Sequence, residues 1–294
     1  MSRIAYVNGR FLPHREATIH IEDRGYQFAD GVYEVTAVQG GRLVDEALHL
    51  ARLDRSLAEL RIAAPMSQRA LAFVLREVIR RNRVRDGIVY LQATRGVAPR
   101  DHPFPADTRT SLVITARRAR AANPQALAEG IKVITIPDIR WARCDIKSIA
   151  LLPNILGKQQ AREAGAYEAW QVDGAGLVTE GTSTNAWIVT KAGELVTRQA
   201  GNAILNGCTR LALLDIARHI GLAFVERPFS VSEAKAAREA FLTSTTSLVL
   251  PIVRIDETAI GDGRPGPLGR KLRELYVAHA GGQAAKRAEL PEVA

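Results

Sequence analysis

The chain has 294 residues, 47% hydrophobic and 24% charged, the make-up of an ordinary globular protein and not of a disordered or fibrous one. That length suits two domains of roughly 100–200 residues each. The formal charge of +9 comes from 33 arginines and only seven lysines, scattered instead of gathered into a basic stripe, which argues against a nucleic-acid binder.

Ile4 to Asn8 and Gly31 to Val38 read as strands, the second mixing valines at 32, 35 and 38 with Tyr33 and Thr36. Leu50, Leu53, Leu57 and Leu60 recur at helical spacing, and a second helix is predicted from about Gln68 to Arg83 with Leu71, Leu75 and Val78 on one face. Strands at Ile88 to Thr94 and Ser111 to Ala116 bracket a Gly/Pro-rich loop from Arg95 to Pro105 that cannot be helical throughout. A loop carried by a rigid sheet is a functional position.

Charge and Asn123-Pro124 break the pattern, so the expected division is an N-terminal α/β domain over 1–121 and a larger, β-rich domain over 122–281. Strands are predicted at Ile131 to Pro137, Glu168 to Val172, Asn185 to Thr190, Leu222 to Glu226 and Ala240 to Thr243. Helices are predicted over 153–164, 208–220 with Gly221 as the stop, and 267–279, and Ser230 with Glu233 reads as a capping box. No internal repeat is visible, and the Ala/Glu-rich residues 282–294 read as a frayed tail.

The N-terminal residues interleave charge with apolar side chains, unlike a secretory signal. Leu242 to Val253, a charge-free run, is short of the ~18 apolar residues of a membrane helix. Cys144 and Cys208 lie far apart without a CxxC pattern, so neither a disulfide framework nor a zinc site is indicated. A cytoplasmic protein without metal, membrane or nucleic-acid partner is expected.

Lysine scarcity sharpens the search for chemistry. A Schiff-base lysine must be neutral part of the time near pH 7, which needs an apolar or cation-flanked setting. Lys147, in Cys144-Asp-Ile-Lys-Ser-Ile-Ala-Leu-Leu152, is the one lysine among such neighbours. A lysine snorkelling from a buried segment, or paired with Asp145, fits the same residues.

Val178 to Asn185 sets Glu180 at a strand-to-turn junction followed by small residues, where a carboxylate could keep a pyridine nitrogen protonated; a plain turn residue fits too. Asn206-Gly-Cys-Thr209 precedes a helix, so the Cys208 backbone and the Thr209 hydroxyl could meet an anion, or Thr209 could simply cap. Hydroxyls at Thr243-Ser-Thr-Thr-Ser247, including Thr245 and Thr246, are a second phosphate candidate or a solvated edge strand. Arg52, after His49-Leu-Ala51, could balance the phosphate charge.

Together these stretches resemble one family. Glu22-Asp-Arg-Gly-Tyr-Gln-Phe-Ala-Asp-Gly-Val-Tyr-Glu-Val35, His49-Leu-Ala-Arg-Leu53, Thr94-Arg-Gly-Val-Ala-Pro-Arg-Asp-His102 and Asp138-Ile-Arg-Trp-Ala-Arg-Cys-Asp-Ile-Lys-Ser148 look like the fold-type IV pyridoxal-5'-phosphate (PLP) enzymes, and within them the D-amino-acid transaminases. Val178 to Asn185, Gly207 to Arg210 and Leu242 to Ser247 extend the resemblance over roughly residues 1 to 280.

The resemblance implies a two-domain α+β/α/β fold and ping-pong transamination between D-amino acids, D-alanine or D-glutamate, and 2-oxo acids such as 2-oxoglutarate and pyruvate. It implies Lys147 as Schiff base and proton carrier, Glu180 at the pyridine nitrogen, and Arg52, Thr209, Thr245, Thr246 and the Cys208 backbone around the phosphate. It also implies a carboxylate trap of Tyr33, Arg100 and His102, the last two from the neighbouring subunit of a homodimer.

Cys208 stands where a larger aliphatic residue is common, and Thr36-Ala37 where bulkier residues are usual, which bears on the side-chain pocket. A branched-chain L-amino-acid aminotransferase or an aminodeoxychorismate lyase of the same fold is the nearest alternative, and Pro99-Arg-Asp-His102 argues against both. A basic nucleic-acid binder is the remote one.

Overall fold

The computed structural model describes residues 3–119 and 123–282. The expected boundary at 121–122 and the tail from 283 lie outside the described residues. By its contacts the chain forms two compact units, Met1–Arg120 with Ile146–Leu151, and Ala121–Asp145 with Leu152–Ala294. The short segment that carries Lys147 thus belongs with the first unit, though the chain reaches it only after entering the second.

The first unit is built from β1 (Ile4–Val7), β2 (Arg10–Pro13), α1 (Arg24–Phe28), β3 (Gly31–Gln39), β4 (Arg42–Leu43), α2 (Glu46–Glu59), α3 (Gln68–Asn82), β5 (Gly87–Thr94) and β6 (Ser111–Arg118). Its sheet runs in the order β2-β1-β6-β5-β3-β4, antiparallel at every pairing. Period-two alternation buries Val32, Glu34, Thr36 and Val38 of β3 and leaves Tyr33, Val35 and Ala37 half-buried.

Leu71, Val74, Leu75, Val78 and Ile79 make the apolar stripe of α3, which joins Leu53 and Leu57 of α2 and Val32, Val38, Val89 and Leu91 of the sheet in one core. Burying each such side chain contributes roughly 1.5–3 kcal/mol. The start of α3 is set by Ser67, whose hydroxyl accepts from Ala70 N–H at 3.3 Å, and its end by Arg83 in the left-handed region, φ 50°.

The second unit comprises α4 (Pro124–Glu129), β7 (Ile131–Pro137), α5 (Leu152–Glu163), β8 (Glu168–Val172), β9 (Val178–Gly181), β10 (Asn185–Val189), β11 (Leu195–Thr197), α6 (Cys208–His219), β12 (Phe224–Glu226), α7 (Val231–Lys235), β13 (Glu239–Ser244), β14 (Leu248–Ile255), β15 (Thr258–Ala259) and α8 (Pro267–Ala280). Its mixed sheet follows the order β12-β11-β10-β13-β14-β7-β8-β9, with β15 paired to β14.

Trp170, Ile188, Val196, Leu242 and Ile252 fill its core. Gly221 stops α6 at φ 76°, a conformation costly to any side chain with a Cβ. Ser230 caps α7, its hydroxyl accepting from Glu233 N–H at 3.1 Å. Among the described residues no helix is long and apolar enough to cross a membrane.

Candidate active site

In the first unit, Lys147 is pinned by its backbone. Its N–H donates to Ser56 Oγ at 3.3 Å, its carbonyl accepts from Tyr33 N–H at 3.0 Å, and the next residue bridges to Val32. The half-buried side chain extends over the Tyr33 ring, Nζ lying 4.2 Å from the centroid. Tyr33 in turn leans on Tyr90 at 5.9 Å; burial, and then the Tyr33 hydroxyl, push the Tyr90 phenol up to about 12.

Arg52 enters from α2 and meets Glu34 on the inward face of β3. Nε donates to Oε1 and Nη2 to Oε2, each at 2.8 Å, a two-pronged clamp. His49, one turn earlier on α2, has Nδ1 2.7 Å from Glu34 Oε2. Burial pushes the Glu34 carboxyl upward, but the charge and hydrogen bonds of Arg52, with the bond from His49, outweigh it and bring the group down to about 2.

The loop after β5 is tied down by two buried arginines. Arg24 donates Nε to Asp30 at 2.8 Å and reaches the Asp101 and His102 carbonyls at 2.6 and 3.2 Å. Arg95 closes on Asp30 with two bonds and on the Leu60 and Arg61 carbonyls at 2.8 and 2.9 Å. Burial raises the Asp30 carboxyl, and the two guanidinium groups more than reverse that.

The Phe28 ring carries Arg100 at 5.0 Å and His102 at 5.5 Å. Arg100 and His102 are therefore brought together on one ring, while Tyr33 sits with Lys147. Among the described residues no hydrogen bond, ion pair or ring contact joins those two pairs.

In the second unit, Glu180 is buried in β9 and surrounded by donors. Leu205 N–H lies 3.1 Å from both oxygens, Asn185 Nδ2 donates at 2.9 Å, and Arg140 Nη1 closes on Oε1. Arg140 is itself forked onto Asp138 at 2.9 and 2.7 Å and donates to Thr179 Oγ1 at 3.2 Å. Burial works against its charge, but the Asp138 bond and the Glu180 carboxylate raise it above the usual guanidinium range. Burial, reinforced by Glu180 and Asp138 against Arg140, lifts the Cys144 thiol to about 11.

Asn185 ties this carboxylate to the start of α6. Its Nδ2 also donates to the Leu205 carbonyl at 2.9 Å, and a Cβ built on Gly207 would fall 2.2 Å from its Oδ1, so a side chain there would displace the Asn185 amide. Gly207 is the N-cap of α6, so Thr209 is a first-turn residue and not the cap the sequence also allowed. The first-turn N–H groups of a helix lack an i−4 carbonyl, which suits an anion. Thr209 Oγ1 is buried, 3.5 Å from the Tyr276 hydroxyl.

Asn185 also stands opposite Thr243 across β10 and β13, which brings the turn after β13 to the same end of the sheet. Thr245 is half-buried and Thr246 exposed in that turn. Since β13 lies between β10 and β14, the hydroxyl run leaves an interior strand, not a solvated edge.

Sequence reading assigned no role to Glu34, Arg140, Asn185, Arg24 or Phe28. One signal was available for Glu34: alternation puts it inward with Val32 and Val38, and a carboxylate there demands a cationic partner. Arg140 and Asn185 carry no local signal, because their partners lie on other elements.

Residues 31–255 match the family model for the amino-transferase class IV. A D-alanine aminotransferase of Bacillus licheniformis is 43% identical over 267 residues, covering 90% of this chain and 93% of that one. The solved branched-chain amino acid aminotransferase of Escherichia coli superposes with a TM-score of 0.89 over the full length of both chains at 22% identity, a likeness of fold. That of Thermobaculum terrenum in its PLP form reaches 0.83 at 25% identity over 97% of this chain and 96% of that one.

Proposed function

This chain belongs to the class IV aminotransferases, and from that premise we propose that it exchanges amino groups between D-amino acids, D-alanine and D-glutamate among them, and 2-oxo acids such as 2-oxoglutarate and pyruvate. Its cofactor is PLP. When bound, the protonated pyridine ring of that group supplies an electron sink for the substrate Cα. The observation that carries the D-specific reading is the 43% identity with a D-alanine aminotransferase, spread over 90% of this chain.

The donor set fits the cofactor. Glu180, which accepts from Arg140, Asn185 and Leu205 N–H, would be the residue to hold a proton on the ring nitrogen. Arg52, the Cys208 and Thr209 backbone, and the Thr209, Thr245 and Thr246 hydroxyls hold the phosphate. Lys147 would hold the cofactor through its amine, and the same amine would be the base that moves the substrate Cα proton. Its place over Tyr33 fixes the direction of approach.

Tyr33 with Arg100 and His102 holds the substrate carboxylate. Arg100 offers a planar fork that a lysine would lack, and Phe28 steadies both loop residues. In this reading the loop pair serves the site of a second copy, so the working unit is a homodimer. A reducing, cytoplasmic setting agrees with two cysteines that form no disulfide.

An absorbance spectrum between 300 and 500 nm, taken before and after D-alanine and then L-alanine, tests the proposal. A PLP band that shifts with the D enantiomer alone is expected. A band that answers only to L-amino acids would transfer the chain to the branched-chain type of activity.

A further inference from the structure

Resting on the assignment of Arg52 to the cofactor phosphate, we infer that Glu34 is the positioning residue for Arg52, and that His49 holds Glu34 in turn. Glu34 sits on the inward face of β3, between Val32 and Thr36, where an apolar side chain would pack α2 against the sheet without desolvating a charge. A buried ion pair is rarely a gain in stability over such a replacement. Its presence here points to a geometric task.

The task can be read from the contacts. Arginine is cationic without assistance, so Glu34 is not needed to charge it. Two parallel bonds at 2.8 Å, from Nε and Nη2, instead fix the plane of the guanidinium. A side chain with four rotatable bonds thereby presents its charge to a phosphate in one orientation, and the ordering entropy is already spent before the cofactor arrives.

The role of His49 follows from hydrogen bookkeeping. An ionised carboxylate only accepts, so His49 Nδ1, 2.7 Å from Oε2, carries the hydrogen and donates it. The 3.5 Å approach of Arg52 Nη2 to that same Nδ1 is then a meeting of two donors and not a bond. His49 therefore steadies Glu34 and has no direct hold on Arg52. His49 and Arg52 are three residues apart on α2, so one strand carboxylate locks two helix side chains.

The test is a pair of equilibrium titrations on cofactor-free enzyme, with PLP and with pyridoxal, which lacks the phosphate, for wild type, Glu34→Gln, His49→Gln and Arg52→Ala. Glu34→Gln is expected to weaken PLP about tenfold or more and leave pyridoxal affinity unchanged, with a smaller loss of the same selectivity for His49→Gln.

Equal losses for both ligands would mean that Glu34 is merely structural and would overturn the inference. So would an unchanged PLP affinity in Glu34→Gln while Arg52→Ala weakens it, an outcome that spares the reading of Arg52. Unchanged PLP affinity in Arg52→Ala would instead remove the reading of Arg52 and the inference with it. If Glu34→Gln does not fold, His49→Gln decides alone: selective loss supports the inference, and equal or no loss overturns it.

Discussion

Arg52 and Glu180 are each held by a buried ion pair, one in each unit, yet in the proposed site they meet ligands of opposite charge. In the first unit a carboxylate, Glu34, clamps an arginine, the one proposed above to meet the phosphate. In the second an arginine, Arg140, clamps a carboxylate, the one proposed above to meet the ring nitrogen. The supporting groups differ accordingly: Glu34 is backed by one histidine, whereas Arg140 is shared between Asp138 and Glu180. In that proposal the same pair of residue types does two jobs, set by which member the surroundings leave to the ligand.

Lys147 lies outside both clamps, and its loss defines the largest effect. Lys147→Ala is expected to lower transamination by more than about a thousandfold and to abolish the borohydride-stabilised cofactor adduct; an adduct found by mass spectrometry on another lysine would reassign the role.

The clamps themselves separate on two axes. Glu180→Gln, which keeps the shape and removes the charge, should cut turnover about a hundredfold or more, with the smaller change in PLP affinity. Arg52→Lys should do the reverse, its loss concentrated in cofactor affinity, because an ammonium cannot fork onto two oxygens. Identical profiles from steady-state kinetics and PLP titration would dissolve the contrast.

Acid sharpens it further. The Glu34 carboxyl is brought down to about 2 in the folded protein against 4.5 for an unperturbed glutamate, so its stabilisation is fully present above pH 4.5 and is lost as pH falls towards 2. Denaturant unfolding followed from pH 6 to pH 2.5 should show the loss, and Glu34→Gln should flatten that part of the curve.

Smaller again is the loop. Arg100→Ala should raise the substrate KM roughly tenfold to a hundredfold, the scale of one charge-assisted contact, and Phe28→Leu should raise it less by loosening Arg100 and His102; unchanged KM in both would remove the loop from the site. The slightest effect concerns Cys144. With its thiol raised to about 11, iodoacetamide labelling at pH 7.5 should be slower than for an ordinary exposed cysteine, and Arg140→Gln should slow it further by removing the one lowering charge.

Elements with strong local patterns were legible. Helix α3 follows its apolar stripe and ends within one residue of the expected limit, and the Ser230 cap and the Gly221 stop are where their chemistry requires. Several short or irregular pieces were not: β4 and β15 have two residues each, too few for a period to show, and β14 carries Pro251, which reads as a breaker although the strand runs through it. For the site, residue type and spacing nominated Lys147, Glu180, Arg52 and Thr209 as candidates, and the family resemblance added the loop pair.

What residue types, close spacing and the resemblance supplied by themselves was therefore a set of candidate groups and the short elements that carry them, because caps, stripes and turns depend on neighbours a few positions away. Only the tertiary structure decided who supports those groups. Glu34 and Arg52 are 18 residues apart, Arg140 and Glu180 are 40, and Arg24 meets the Asp101 carbonyl across 77. Such pairings arise from strand register and helix packing, and it is burial that makes each buried charge find a partner of the opposite sign or a carbonyl.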